Sequence, residues 1–298
     1  MTVVLAMTKR NVKLFFKDKG MFFTALITPA ILLVLYATFL GKVYRDSFLS
    51  SLPAGFVLSD DVIGGLVGGQ LISSILAVSC VTVAFCSNML SVQDKVTGAL
   101  RDLSIAPVRP QLLSVSYYLA TLFTTLIISF TATGICLCYL AVVGWYLSAA
   151  DVFLLIGDIL LLSLFGTALS SVVTHFLSSQ GQISAVGTVV SAGYGFVCGA
   201  YMPISQFGVG LQRVISFFPG TYGTSLIRNH ALRGAFDAMG EEHVPDAVVE
   251  AIRASIDCDL SFFDKPVSIG AMYLILALSV AALIAVYILL NLKKKKSL

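Results

Sequence analysis

Gln93-Asp94-Lys95-Val96-Thr97-Gly98-Ala99-Leu100-Arg101-Asp102-Leu103-Ser104-Ile105-Ala106-Pro107-Val108-Arg109 is a charged stretch set between two long apolar runs. Val92, Val96, Ala99/Leu100 and Leu103 recur every three to four residues, the spacing of a one-sided helical stripe. Pro107 and Pro110 end the pattern, because proline lacks the N–H a helix needs and its ring clashes with the turn before it. A short amphipathic helix is expected over about residues 92–106, in a loop between two membrane spans. Its apolar face is free for a partner or for the lipid surface. A solvated loop helix is the plainer alternative.

Around that stretch the chain is too apolar for water. Of its 298 residues 57% are hydrophobic and 12% charged, and mean hydropathy is +0.93. A soluble domain carries about 25% charged residues. At about 20 apolar residues per crossing, an all-α membrane protein with six spans is expected. They run from Met21 to Leu40, Val62 to Asn88, Leu112 to Val143, Val152 to Phe176, Gln182 to Tyr201 and Ile269 to Leu290. Pro29 marks a kink in the first, tolerated where neighbouring helices satisfy the freed carbonyl. Gly41 to Asp61 is expected as a short loop. Gly64-Gly65 and Gly68-Gly69 open the second span with small residues that admit a close neighbour. The third run exceeds a ~30 Å core and must tilt or project, with Trp145 and Tyr146 at the level of an aromatic belt.

Charge sets the orientation. Lys9, Lys13 and Lys17 form an i, i+4, i+8 stripe opposite Leu5, Val12, Phe15 and Phe16. This reads as an interfacial elbow helix within residues 1–20, its lysines snorkelling to water; a charged flank of the first span is the alternative. A cleaved leader is not expected, since no small-residue cleavage site follows. Together with Arg10, Lys19, Lys95, Arg101, Arg109 and Lys293–Lys296, these lysines make up most of the chain's 19 basic residues, while the short opposite loops hold only Lys42 and Arg45. Positive-inside bias places both termini and the 92–106 helix in the cytoplasm. Basic residues confined to membrane borders give no support for nucleic-acid binding.

Few residues suggest chemistry. Five of the six cysteines lie in apolar runs, where a thiol acts as a small hydrophobe. Cys258 stands alone in a polar segment, where a thiol reagent is expected to reach it from outside. No metal ligand set, nucleophile–His–Asp set or Gly-x-x-x-x-Gly-Lys-[Ser/Thr] loop occurs, so the chain is not expected to be an enzyme or to hydrolyse ATP. Asp158 is the one ionisable residue well inside a span. It is a candidate substrate or proton contact, or else it pairs with a polar neighbour. His175 reads as an interface residue.

Between the fifth and sixth spans come Gly199-Ala200-Tyr201-Met202-Pro203-Ile204, then Leu211 to Pro219, then Arg228 and Leu232-Arg233-Gly234. Two short apolar helices broken at Pro219-Gly220 are too short to span, and read as a re-entrant hairpin over about 203–233 in the outer leaflet. Residues 235–266 form an acidic extracellular segment. Pro245 followed by Val248, Val249, Ile252 and Ile256 predicts one short amphipathic helix there.

Asp94 to Val108, with Thr-Gly-Ala-Leu-Arg-Asp-Leu and Ala-Pro-Val, resembles the first cytoplasmic loop of type-two ATP-binding-cassette (ABC) exporter permeases. The order Met-Pro-Ile, amphipathic helix, Pro, Arg and Leu-Arg-Gly is similar to the end of the same family. The resemblance implies that the 92–106 helix couples to a separate ATPase subunit, with Val96, Leu100 and Leu103 as anchors and Asp94 and Arg101 at the polar rim. ATP and Mg would sit on that partner, with no cofactor on this chain. It implies a second permease subunit, identical or different, and a multi-pass place in the plasma (bacterial inner) membrane. The path would be lined by the first, second and fifth spans, with Phe22, Gln70, Ser74, Thr82, Thr188, Ser191 and Tyr194 as candidates. Met202, Pro203, Phe218 and Pro219 would form the outer gate. The acidic insertion after Gly234 departs from sugar exporters and favours a drug, peptide, lipid or glycolipid cargo. A proton-coupled secondary transporter using Asp158, or a non-transporting scaffold or receptor, are the alternatives.

Overall fold

The computed structural model describes residues 2–50, 52, 58–105, 110–263 and 265–294. It is all-α and 85% helical. In chain order the helices are α1 (Thr2–Lys17), α2 (Lys19–Leu35), α3 (Gly41–Ser50), α4 (Asp60–Val96), α5 (Ala99–Ile105), α6 (Pro110–Val143), α7 (Ala149–His175), α8 (Gln180–Val197), α9 (Val209–Ile215), α10 (Pro219–Glu241), α11 (Asp246–Ser255) and α12 (Ile269–Lys294). A two-residue antiparallel pair, Ser261–Phe262 with Lys265–Pro266, precedes α12.

Helix α4 is the axis of the bundle. It is buried on every side, against α2, α6, α7, α8 and α10. Its glycines explain how so many neighbours fit. A Cβ on Gly64 would meet the Val143 carbonyl at 2.6 Å, and one on Gly69 would meet Leu232 Cδ2 at 2.5 Å. The first would strike backbone, and the second would need Leu232 to shift with the Ala231 carbonyl only 3.0 Å away, so α6 and α10 lie close against these glycines. The interhelical dispersion gained by that approach is what holds helices together where lipid removes the hydrophobic drive.

Among the described residues, five helical segments are long and apolar enough to cross a membrane: Lys19–Ser50, α4, Gln111–Val143 of α6, α7, and Ile269–Leu292 of α12. Helix α8 is absent from that set, because Gln180, Gln182, Ser184, Ser191 and four glycines dilute its 18 residues. The first span also runs further than expected. Instead of a loop after Leu40, a π-helical segment over Tyr36–Leu40 leads straight into α3. Tyr44 and Phe48 of α3 are buried, and the Tyr44 ring stacks on Tyr36 at 5.5 Å. Those aromatic contacts give residues 41–50 a core-facing side that composition alone obscures.

Two other boundaries are corrected. The expected single helix over 92–106 is split: α4 continues to Val96, Gly98 takes φ +85°, and α5 starts anew at Ala99. Only glycine adopts that left-handed backbone without penalty, so the apolar stripe is bent at its middle. Pro107 lies outside the described residues, and Pro110 opens α6 instead of merely ending the helix before it. The two short helices of the expected hairpin are unequal. Helix α9 has seven residues, whereas α10 has 23 and extends past Gly234 to Glu241, taking the start of the acidic segment with it. The predicted amphipathic helix after Pro245 is α11, with Ile252 and Ile256 buried; Asp264 lies outside the described residues.

Candidate functional site

At the end of the bundle that carries α1, the last turn of α4 is held from three sides. Asp94 is buried, accepts from Arg10 Nη1 at 2.9 Å and accepts from the Tyr117 hydroxyl at 2.5 Å. Thr8 Oγ1 donates to the Ser116 carbonyl at 3.5 Å, so α1 is seated on α6 as well. Lys95 Nζ donates to the carbonyls of Thr174, His175 and Leu177 at 3.1, 3.3 and 3.1 Å. A cation there satisfies orphan carbonyls at the negative end of α7. Asp94 is therefore no rim residue: its partner Arg10 draws it inward. Beyond this anchored turn, α5 projects from Gly98. Val96 is 44% exposed and Ile105 83%, while Leu100 and Leu103 are half-buried and Arg101 is exposed. Ile105 stands two residues past Leu103, on the face away from the expected stripe, and for that reason the stripe pattern did not pick it out.

A cleft of about 670 Å³ opens at the same end, between α2, α4 and α8. Thr188 and Ser191, two of the path candidates, line it beside Asp18, Met21, Thr24, Thr28, Met89, Gln93 and Ser184. Helices α2 and α8 touch at its far end, where Thr28 Oγ1 donates to the Ser191 carbonyl at 3.5 Å. The other five path candidates do not line it. Gln70 is buried and donates to the Tyr44 hydroxyl at 3.5 Å, Ser74 is buried, and Thr82 donates back to the Val78 carbonyl at 2.9 Å. Tyr194 is buried beside the Phe218 ring at 5.9 Å, and Phe22 packs among Phe16 and Phe23. Helix α4 has neighbours all round, so its polar side chains are taken up by packing and by their own turn. The i, i+4, i+8, i+11 spacing of Gln180, Ser184, Thr188 and Ser191 on α8 is the signal that could have found Gln180 and Ser184 beside the two candidates.

Helix α10 is the hub of the opposite end. On one side, Asp158 of α7 faces His230 Nδ1 at 2.5 Å and accepts from the Tyr273 hydroxyl of α12. Asp158 is thus fully partnered and turned away from the cleft. One helical turn on, Arg233 Nε pairs with Asp151 at 3.1 Å. The other side of α10 holds the turn after α11. Arg228 is wholly buried and donates to the Ile256 carbonyl at 2.5 Å and the Gly199 carbonyl at 2.9 Å, with Asp257 at 3.6 Å. Ser225 Oγ and Asn229 Nδ2 donate to the Cys258 carbonyl at 2.8 and 2.6 Å. Asp257 also accepts the Ile204 N–H at 2.7 Å, next to Pro203 and half-buried Met202. Phe218 and Pro219 sit where α10 begins, with the Phe218 ring against Phe165 at 5.9 Å.

This clamp overturns one expectation. Cys258 is buried, and burial pushes its thiol up to about 12. A maleimide at pH 7 is therefore expected to leave Cys258 unlabelled in the folded protein. Ser261→Cys, at an exposed position, should instead label readily in intact cells if this end faces outward.

The family model described as ABC-2 type transporter matches residues 2–231, which takes in α1, the anchored end of α4, α5, the cleft and most of α10. The chain belongs to the ABC-2 type transporter family. It is accordingly a multi-pass membrane protein and an ABC-type transport permease. The ABC-2 family is a membrane component without its own ATP site, and its members normally work with an ATPase partner. No curated protein is similar enough to this chain to count as a match.

Proposed function

We propose that this ABC-2 chain is the permease half of an ATP-driven exporter of amphipathic molecules, with α1, α5 and both termini in the cytoplasm and α11 outside. Helix α1 is the elbow helix and α5, entered through Gly98, is the docking element for a separate ATPase that carries ATP and Mg. Helix α8 is the sixth crossing. Its 18 residues reach about 27 Å at 1.5 Å per residue, near the ~30 Å hydrocarbon core, and its polar stripe faces the cleft. The exposed faces of α2 and α8 meet a second permease subunit, the same chain or a relative.

One observation carries the reading: a rigidly held helix end sits immediately behind an exposed, glycine-hinged one. Asp94 and Lys95 tie α4 to α1, α6 and α7, so a push on α5 is passed to the whole cytoplasmic rim and not absorbed locally. The cleft opens at that rim, between the helices such a push would tilt. Closing the ATPase pair then shifts the population from an inward-open to an outward-open state. The clamped α10–α11 region is the outer gate.

Reconstitution with the ATPase tests this against the proton-coupled alternative. In vesicles without a pH gradient, ATP should drive cargo away from the ATPase side, and Asp158→Asn should keep the rate within about twofold, since asparagine still accepts from Tyr273. Movement driven by an imposed proton gradient without ATP, and lost in Asp158→Asn, would establish the alternative.

A further inference from the structure

The cleft is elongated and, among the described residues, singly charged, and this selects among amphiphiles. From its mouth at Asp18 and Gln180 it runs along α2 and α8 to Ile31 and Ala192, about 18 Å at 1.5 Å per residue. A volume near 670 Å³ spread over that length suits an extended, rod-like body better than a globular one. Met21 and Met89 line its walls, and their flexible thioethers fit apolar bodies of varied outline.

Among the described residues, Asp18 is the one formally charged residue that lines it. The N-termini of α2 and α8 also lie at the mouth, each equivalent to about half a positive charge. Each already carries a side-chain cap. Asp18 accepts the Met21 N–H at 3.1 Å, and Gln182 and Ser179 cap each other's backbone at the start of α8. Lys17 and Lys19 flank Asp18 in sequence but do not line the cleft, and Arg10 and Lys95 are turned to Asp94 and to α7. Among the described lining residues a phosphate head would meet the Asp18 carboxylate and no lysine or arginine.

We infer that the cleft binds linear amphiphiles whose head carries a single amine, seated at Asp18, and discriminates against phosphate-headed molecules of equal chain length. The inference rests on the exporter reading only for the cleft's role in cargo uptake; binding needs no ATPase. The full chain in nanodiscs of zwitterionic lipid is titrated with an alkyl amine, an alkyl alcohol and an alkyl phosphate of one length. The amine should bind tightest and the phosphate weakest. Asp18→Asn keeps an N-cap for α2, and should weaken the amine about three- to tenfold while leaving the alcohol unchanged. Thr188→Phe, at an exposed lining position, should weaken all three. Phosphate binding equal to amine, an Asp18→Asn effect shared by all heads, or binding indifferent to Thr188→Phe each overturns the inference; the last outcome would leave the groove as contact surface for the second permease. If the amine binds as expected but ATP and the partner ATPase never move it, the exporter reading fails and the cleft assignment stands.

Discussion

Ile105→Asp should abolish ATP-driven transport while the permease stays folded. The side chain is 83% exposed in the isolated chain, so a carboxylate there costs the fold no more than about 0.5 kcal/mol. Docked into a groove on the ATPase, the same carboxylate would be stripped of water without a partner. An apolar anchor of this kind is worth about 2 kcal/mol or more, which means roughly a thirtyfold loss of affinity for the ATPase. Leu103→Asp should fail in transport too, but Leu103 is half-buried, so some loss of folded protein is expected alongside. Co-purification of the ATPase with each variant and ATP-dependent uptake into inverted vesicles separate the two effects. A full rate in Ile105→Asp with the ATPase retained would place the docking surface elsewhere.

Arg228→Met should be the most damaging change at the α10–α11 end. The guanidinium holds three backbone or side-chain oxygens together: those of Gly199, Ile256 and Asp257. Removing one member of a buried ion pair costs about 3–5 kcal/mol, because the charge left behind has lost its compensation. Burial pushes the Asp257 carboxyl up from its ordinary value, while the Arg228 charge and the Ile204 N–H pull it back. Without Arg228 the folded protein holds the Asp257 proton still more tightly than the unfolded chain does. An acid raised in this way contributes stability below the unfolded value, about pH 4, and loses it as pH rises through the folded value. Arg228→Met should accordingly be weakest at neutral and alkaline pH and recover on acidification. Arg228→Met/Asp257→Asn should regain much of the loss. Thermal unfolding against pH, with Cys258 labelling as a local reporter, follows both effects. Equal destabilisation at all pH values would mean that the arginine acts through packing alone.

What was legible in the sequence follows from how local each signal is. Helices α6, α7, α11 and α12 are marked by their own apolar runs and caps, and Ser148 with Asp151 closes a capping box at the start of α7. A helix after Pro219 was legible, but the length and burial of α10 were not. Ser225, Arg228, Asn229, His230 and Arg233 make it look too polar to be buried, and each partner lies far along the chain: Asp158 is 72 residues from His230, and Ile256 is 28 from Arg228. Asp94 was misread for the same reason, since Arg10 is 84 residues away. The stripe around Leu100 was real but bent, and only the backbone at Gly98 shows the bend. In the cleft, α8 shows its polar face in the sequence because one side of it is free. Gln70, Ser74 and Thr82 of α4 gave no such guide, because a helix surrounded by neighbours has no outward face to pattern.

The most direct measurement places a photo-crosslinking amino acid at Ile105 in the assembled complex. The account predicts a crosslink to the ATPase subunit, with a yield that changes between nucleotide-free and ATP-bound states. Crosslinks to lipid or to the permease alone, unchanged by ATP, would contradict it.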